Sequence, residues 1–117
     1  MEDRASLLQR IVRYELPVED TIAMLRAYGW DADSELVVLT AADALGILER
    51  YLGGELTSKQ AEYWAALLEM RDDLGFEERW SAELRRLIFV LANPDINEPL
   101  TPALAIRLRR VLVGEAT

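Results

Sequence analysis

A chain of 117 residues with 51% apolar side chains has the length of one domain and enough hydrophobic material to fill one core. Its formal charge of −8 has the wrong sign for a nucleic-acid face or an anionic membrane surface. Cysteine and histidine are both absent. That excludes disulfides, thiolate chemistry, histidine-activated nucleophiles and the common transition-metal sites, so a non-enzyme without cofactor or metal is expected.

The first residues, Met1-Glu2-Asp3-Arg4, are polar, with no apolar signal core behind them, and no apolar run approaches the length of a membrane span. A cytoplasmic protein is expected. A first helix is predicted over about Asp3 to Tyr14, with Leu7, Leu8, Ile11 and Val12 on one stripe. A second runs from Pro17, at its first position, to about Ala27, burying Val18, Ile22 and Leu25 and stopping at Gly29. Residues 30–35 read as loop. Asp31, Asp33 and Glu35 alternate there, but Leu36 and Ala42 stand where a calcium-binding EF-hand loop needs glycine and glutamate. Leu36 to Leu39 has strand-like composition but no evident partner, so irregular chain laid over the core is expected.

Thr40, with Asp43 three residues on, opens a third helix to Leu52, with Ala41, Ala44, Leu45, Leu48 and Leu52 inward and Gly53-Gly54 as its stop. Thr57-Ser58-Lys59-Gln60 is a capping box for a fourth helix to Met70 that buries Ala61, Trp64, Ala65 and Leu68. Residues 71–76 break the pattern and read as a loop. A fifth helix is predicted from about Glu77 to Ala92 with Trp80, Leu84, Leu87, Ile88 and Leu91 inward, ended by Asn93-Pro94. Thr101-Pro102 opens a sixth to about Val113, with Leu104, Leu108, Val111 and Leu112 inward and Gly114 as terminator. Trp30, Trp64, Trp80, Phe76, Phe89 and the tyrosines are the aromatic core candidates.

Leu8, Arg10, Glu15 and Leu16 recur forty positions later as Leu48, Arg50, Glu55 and Leu56, with matching apolar neighbours. Both copies read as helix, tight turn, helix, a unit that cannot bury its stripe alone. The expected fold is therefore all-α: a single bundle of about six helices built from helix hairpins, one domain over residues 1–117.

Residues 1–78 hold 17 Asp/Glu against 7 Lys/Arg, a net of −10, and the remaining residues carry a net of +2. Carboxylates concentrate around Gly75 at Glu69, Asp72, Asp73, Glu77 and Glu78. They are the candidate partner-binding residues, able to steer a basic protein; the competing reading is that Asp72 and Asp73 cap the fifth helix. Arg85, Arg86, Arg107, Arg109 and Arg110 form the basic cluster, too small in so acidic a protein for nucleic acid and suited to pairing with acidic loops or a second subunit.

The stretch from Leu48 to Trp64 resembles small bacterial helical proteins similar to the colicin D immunity protein: Tyr51-Leu52 ends a helix, Leu56-Thr57 caps the next, and Trp64 sits a turn or two into it. The order of later elements, through Pro94 to the helix from Pro102, extends the resemblance over about residues 41–113. The chain departs from that family in its first forty residues, which are additional, and in the arginines of its last helix. The resemblance implies a protein that protects its producer by covering the basic site of a nuclease toxin. A bacterial helical protein of the same shape, acting as a homo-oligomeric structural or adaptor protein, is the alternative.

Overall fold

Helix ends decide how this chain turns back on itself. The computed structural model describes residues 3–28 and 34–114; Gly29, Trp30, Asp31 and Asp33, read above as a helix stop and loop, lie outside them. Helix α1 (Arg4–Arg13) opens with Asp3, whose carboxylate accepts the Ser6 N–H at 2.8 Å. It closes on Tyr14 in the left-handed region (φ 50°), where Tyr14 N–H donates to the Ile11 carbonyl and Glu15 N–H to that of Arg10. Helix α3 (Ala41–Leu52) closes forty positions later with the same two bonds, from Gly54 N–H (φ 84°) to Tyr51 and from Glu55 N–H to Arg50.

Three carbonyls at the end of α1 are left over, and the second hairpin satisfies them. The Trp64 indole N–H, from α4 (Ser58–Leu68), donates to Val12 at 2.9 Å. The Arg50 guanidinium donates to Arg13 at 2.9 Å and to Tyr14 at 3.4 Å, while also pairing with Glu55. The recurring Arg–Glu of the sequence thus contributes, in its second copy, a clamp on the first hairpin.

Helix α2 (Val18–Arg26) begins one residue later than expected, with Pro17 at its N-cap. The stretch after it is the main correction to the sequence reading. Strand β1 (Val37–Leu39) pairs in parallel with β2 (Leu74–Phe76), which had been read as loop, in the register Val37–Leu74, Val38–Gly75, Leu39–Phe76. The Asp73 carbonyl accepts from Leu36 and Val37, and Glu77 N–H donates to Leu39. Three residues per strand give no periodicity to detect; α1 against β1 and α5 (Ser81–Ala92) against β2 stabilise the pair by burying Val37, Leu39 and Leu74. The α3–α4 hairpin is the crossover that parallel strands require.

Helix α5 also starts later than expected, because Glu78–Trp80 form a 3-10 turn at its entry. Helix α6 (Pro102–Leu112) is capped by the Thr101 hydroxyl and lies against α3. One apolar cluster joins these elements, with Leu8 and Leu48 both fully buried beside Trp64, Leu84 and Leu87. Of the aromatic candidates within the described residues, only Trp64 and Tyr14 are fully buried. Leu52 and Val111, placed inward by the pattern, lie at stripe margins near helix ends and stay exposed.

Candidate partner-binding site

Helix α4 ends without a glycine, and that shapes the surface beyond it. Glu69 leaves the helix with extended geometry (φ −62°, ψ 135°), Met70 follows at φ 69°, and Arg71 N–H closes the turn on the Leu68 carbonyl at 3.4 Å. These angles belong to a type II turn, whose third position favours glycine or asparagine. A methionine there costs about 1 kcal/mol, because Cβ crowds the backbone.

Tyr14 has the same left-handed geometry, but its side chain is buried and packing offsets the strain. Met70 is 87% exposed and gains nothing of the kind. Met70→Gly is therefore expected to raise the unfolding free energy by about 0.5–1 kcal/mol, read from the midpoint of urea unfolding at unchanged slope. A loss of stability would mean that the Met70 side chain packs in solution.

Beside this turn runs a groove of about 450 Å³ between the end of α4, β2 and α5. Buried Leu68, Leu74 and Ile88 form its floor, and Phe89, 46% exposed, stands at its edge. Glu35, Glu69 and Asp72 line it as acids. The Glu35 carboxylate lies close over β2, where a Cβ added at Gly75 would meet it and push the exposed side chain aside. The two lining cations are occupied: Arg85 stacks over the Phe76 ring at 4.4 Å, and Arg71 binds Asp73 through two nitrogens at 2.9 and 2.8 Å.

The five carboxylates singled out in the sequence separate into different roles. Asp72 and Glu78 are exposed, as a steering charge must be. Glu69 lines the groove and accepts from the Asn93 amide at 2.9 Å. Glu77 turns away and accepts the Ala41 N–H at 2.8 Å, so it caps α3, beside the Thr40–Asp43 capping box. Asp73 is fully buried between Arg71 and Arg4, whose Nε lies 2.8 Å away, and so does not belong to a contact surface. Neither Asp72 nor Asp73 caps α5, whose N-terminus carries no side-chain cap. Burial pushes the Asp73 carboxyl upward, but the hydrogen bonds and charges of Arg71 and Arg4 outweigh it and hold the group below its ordinary value. That is the opposite of what a general acid needs.

Sequence reasoning missed Met70, Phe89 and Glu35 as surface features. Phe89 stands off the Leu84–Leu87–Ile88–Leu91 stripe, which was the available signal, and Met70 occupies a helix exit where a glycine is usual. Of the basic cluster, Arg107 pairs with Glu98 at 2.5 Å and Arg109 reaches Glu49 at 3.9 Å. Arg86 and Arg107 flank a second groove, about 380 Å³, over Val90, Leu104 and Leu108 between α5 and α6. No group of acidic residues suited to a metal ion occurs among the described residues, and none of the helices they form is long and apolar enough to cross a membrane. No protein-family model, no curated protein and no solved structure matches the chain.

Proposed function

We propose that this chain is a non-enzymatic, acidic protein-binding module that neutralises a basic nuclease toxin in the manner of an immunity protein. One observation carries the reading: exposed Met70 and Phe89 stand beside an apolar-floored groove lined by Glu35, Glu69 and Asp72. An apolar centre with a polar rim is the anatomy of a protein interface. The rim carries the charge opposite to that of a surface built to hold RNA, and the net charge of −8 steers such a partner from a distance.

The test is co-production of this chain with the products of its neighbouring reading frames. A stable complex that suppresses the partner's nuclease activity is expected. Asp72→Asn should slow association severalfold and flatten its salt dependence while leaving the melt unchanged, since Asp72 is exposed. A complex whose association ignores salt between about 0.05 and 0.5 M, or no complex at all, overturns the reading.

The homo-oligomeric structural or adaptor alternative draws on a different observation. In the α5–α6 groove Arg107 pairs with Glu98, which leaves Arg86, beside the apolar floor, as the charge the groove offers to the acidic body of a second copy. Sedimentation of the pure chain at low salt decides: a concentration-dependent dimer that salt dissolves favours this alternative.

A further inference from the structure

The strained turn after α4 and the groove beside it make one surface, and together they specify how a partner would sit. This inference rests on the protein-binding reading and names the contact within it. Met70 is held in a left-handed conformation with its side chain 87% exposed, whereas Tyr14, the other non-glycine residue with positive φ among those described, is buried. Strain that packing within the chain does not offset persists where it serves a contact. Methionine suits that use, because its unbranched thioether adapts to an irregular apolar pocket.

The charges around it choose the partner. Glu69 precedes Met70 and Asp72 follows it two residues on, after Arg71, and Glu35 faces the same groove. Of the arginines lining the groove, Arg71 is bound to Asp73, while Arg85 keeps its charge over the Phe76 ring, so three carboxylates face one remaining cation. The sign left to an incoming surface is positive. We propose that Met70 is the apolar anchor of the interface: the turn holds its side chain out to enter an apolar pocket on a basic protein, whose lysines or arginines meet Asp72, Glu69 and Glu35 while its apolar flank covers Phe89.

The test uses the full chain, labelled for amide NMR, and two synthetic amphipathic helices of leucine with lysine or leucine with glutamate. The leucine–lysine helix is expected to shift amides over Leu68 to Leu74 and around Phe89, and the leucine–glutamate helix to shift none. Met70→Gly, which keeps the fold, should weaken the leucine–lysine helix about tenfold, whereas Met70→Leu should stay within about twofold. Equal affinity for wild type and Met70→Gly overturns the proposal, as does tighter binding of the leucine–glutamate helix. Shifts confined to the acidic turns at Glu15 and Glu55 also overturn it, while leaving the protein-binding reading standing. Loss of a self-associated species on Met70→Gly overturns it too, because the occupant would then be a second copy. Absence of any binding by the leucine–lysine helix, together with no complex among neighbouring gene products, removes both this inference and the reading beneath it.

Discussion

Replacing Asp73 with asparagine is expected to lower the unfolding free energy by about 3 kcal/mol at neutral pH, a large fraction of the about 5–15 kcal/mol that holds a small domain together. The carboxylate is fully buried and accepts three hydrogen bonds: two from Arg71 and one from Arg4. Its backbone carbonyl also receives the Leu36 and Val37 N–H groups, so one residue joins the start of α1, the exit of α4 and both strands. Asparagine keeps the size but leaves two guanidinium groups, 7% and 16% exposed, with no negative charge between them. The cost comes from that imbalance more than from lost attraction, so Arg4→Met, which leaves the Arg71–Asp73 pair intact, is expected to cost less than Asp73→Asn.

The pH dependence follows from the same contacts. A carboxyl group whose folded pKa lies below its unfolded value binds fewer protons in the folded state, so its contribution is present above the unfolded value and is lost as pH falls through the folded one. For Asp73 the ordinary value is 3.8 and the folded value is lower. The difference between wild type and Asp73→Asn should therefore be full and flat at neutral pH and shrink from about pH 4 downward. A difference that instead shrank between pH 5 and 8 would show that the carboxyl is not held low. Asp72→Asn, next to it in the chain but exposed, is the control that should move neither curve.

The helices were legible from their apolar stripes and, for α3, α4 and α6, also from the caps written before them. Thr40 with Asp43 and Thr57 with Gln60 both form reciprocal capping boxes, and the Leu7–Leu8–Ile11–Val12 stripe is buried throughout. The sheet was not legible, because strand β2 is the tripeptide Leu74-Gly75-Phe76 and its meaning depends on a partner 37 residues away in the fixed register. The five carboxylates illustrate a different limit. Asp72 and Asp73 are adjacent and chemically identical, yet one is exposed and the other fully buried; what separates them is Arg4, 69 positions earlier in the chain. A local charge cluster says that carboxylates are present, and only packing says which of them face solvent. Met70 was hidden for a related reason: helical spacing extends the α4 pattern to it, and nothing in that spacing reveals a backbone that has already turned left-handed.

Trp64→Ala is expected to cost about 4 kcal/mol and Trp64→Phe about 2 kcal/mol, and the difference between the two locates what the indole contributes. The side chain is completely buried in the cluster shared by α1, α4 and α5, so alanine leaves a cavity that packed helices close only in part. Phenylalanine fills most of that space but cannot donate to the Val12 carbonyl, 2.9 Å from the indole nitrogen at the end of α1. That carbonyl would then be buried without its donor. Arg50 serves the neighbouring carbonyls of Arg13 and Tyr14, so the two side chains hold one helix end from two helices. If that end frays as a unit when either donor is lost, Trp64→Phe and Arg50→Met should be sub-additive, with a coupling of about 0.5–1 kcal/mol in urea unfolding. Strict additivity would mean that α1 is terminated by its own Tyr14–Glu15 turn and that the contacts from the second hairpin are independent of one another. Sub-additivity would instead make α3 and α4 the structural cap of α1, and with it the reason why the first hairpin has a left-handed tyrosine where the second has a glycine: the Tyr14 side chain is buried, and its carbonyl is held by the arginine that recurs in the sequence.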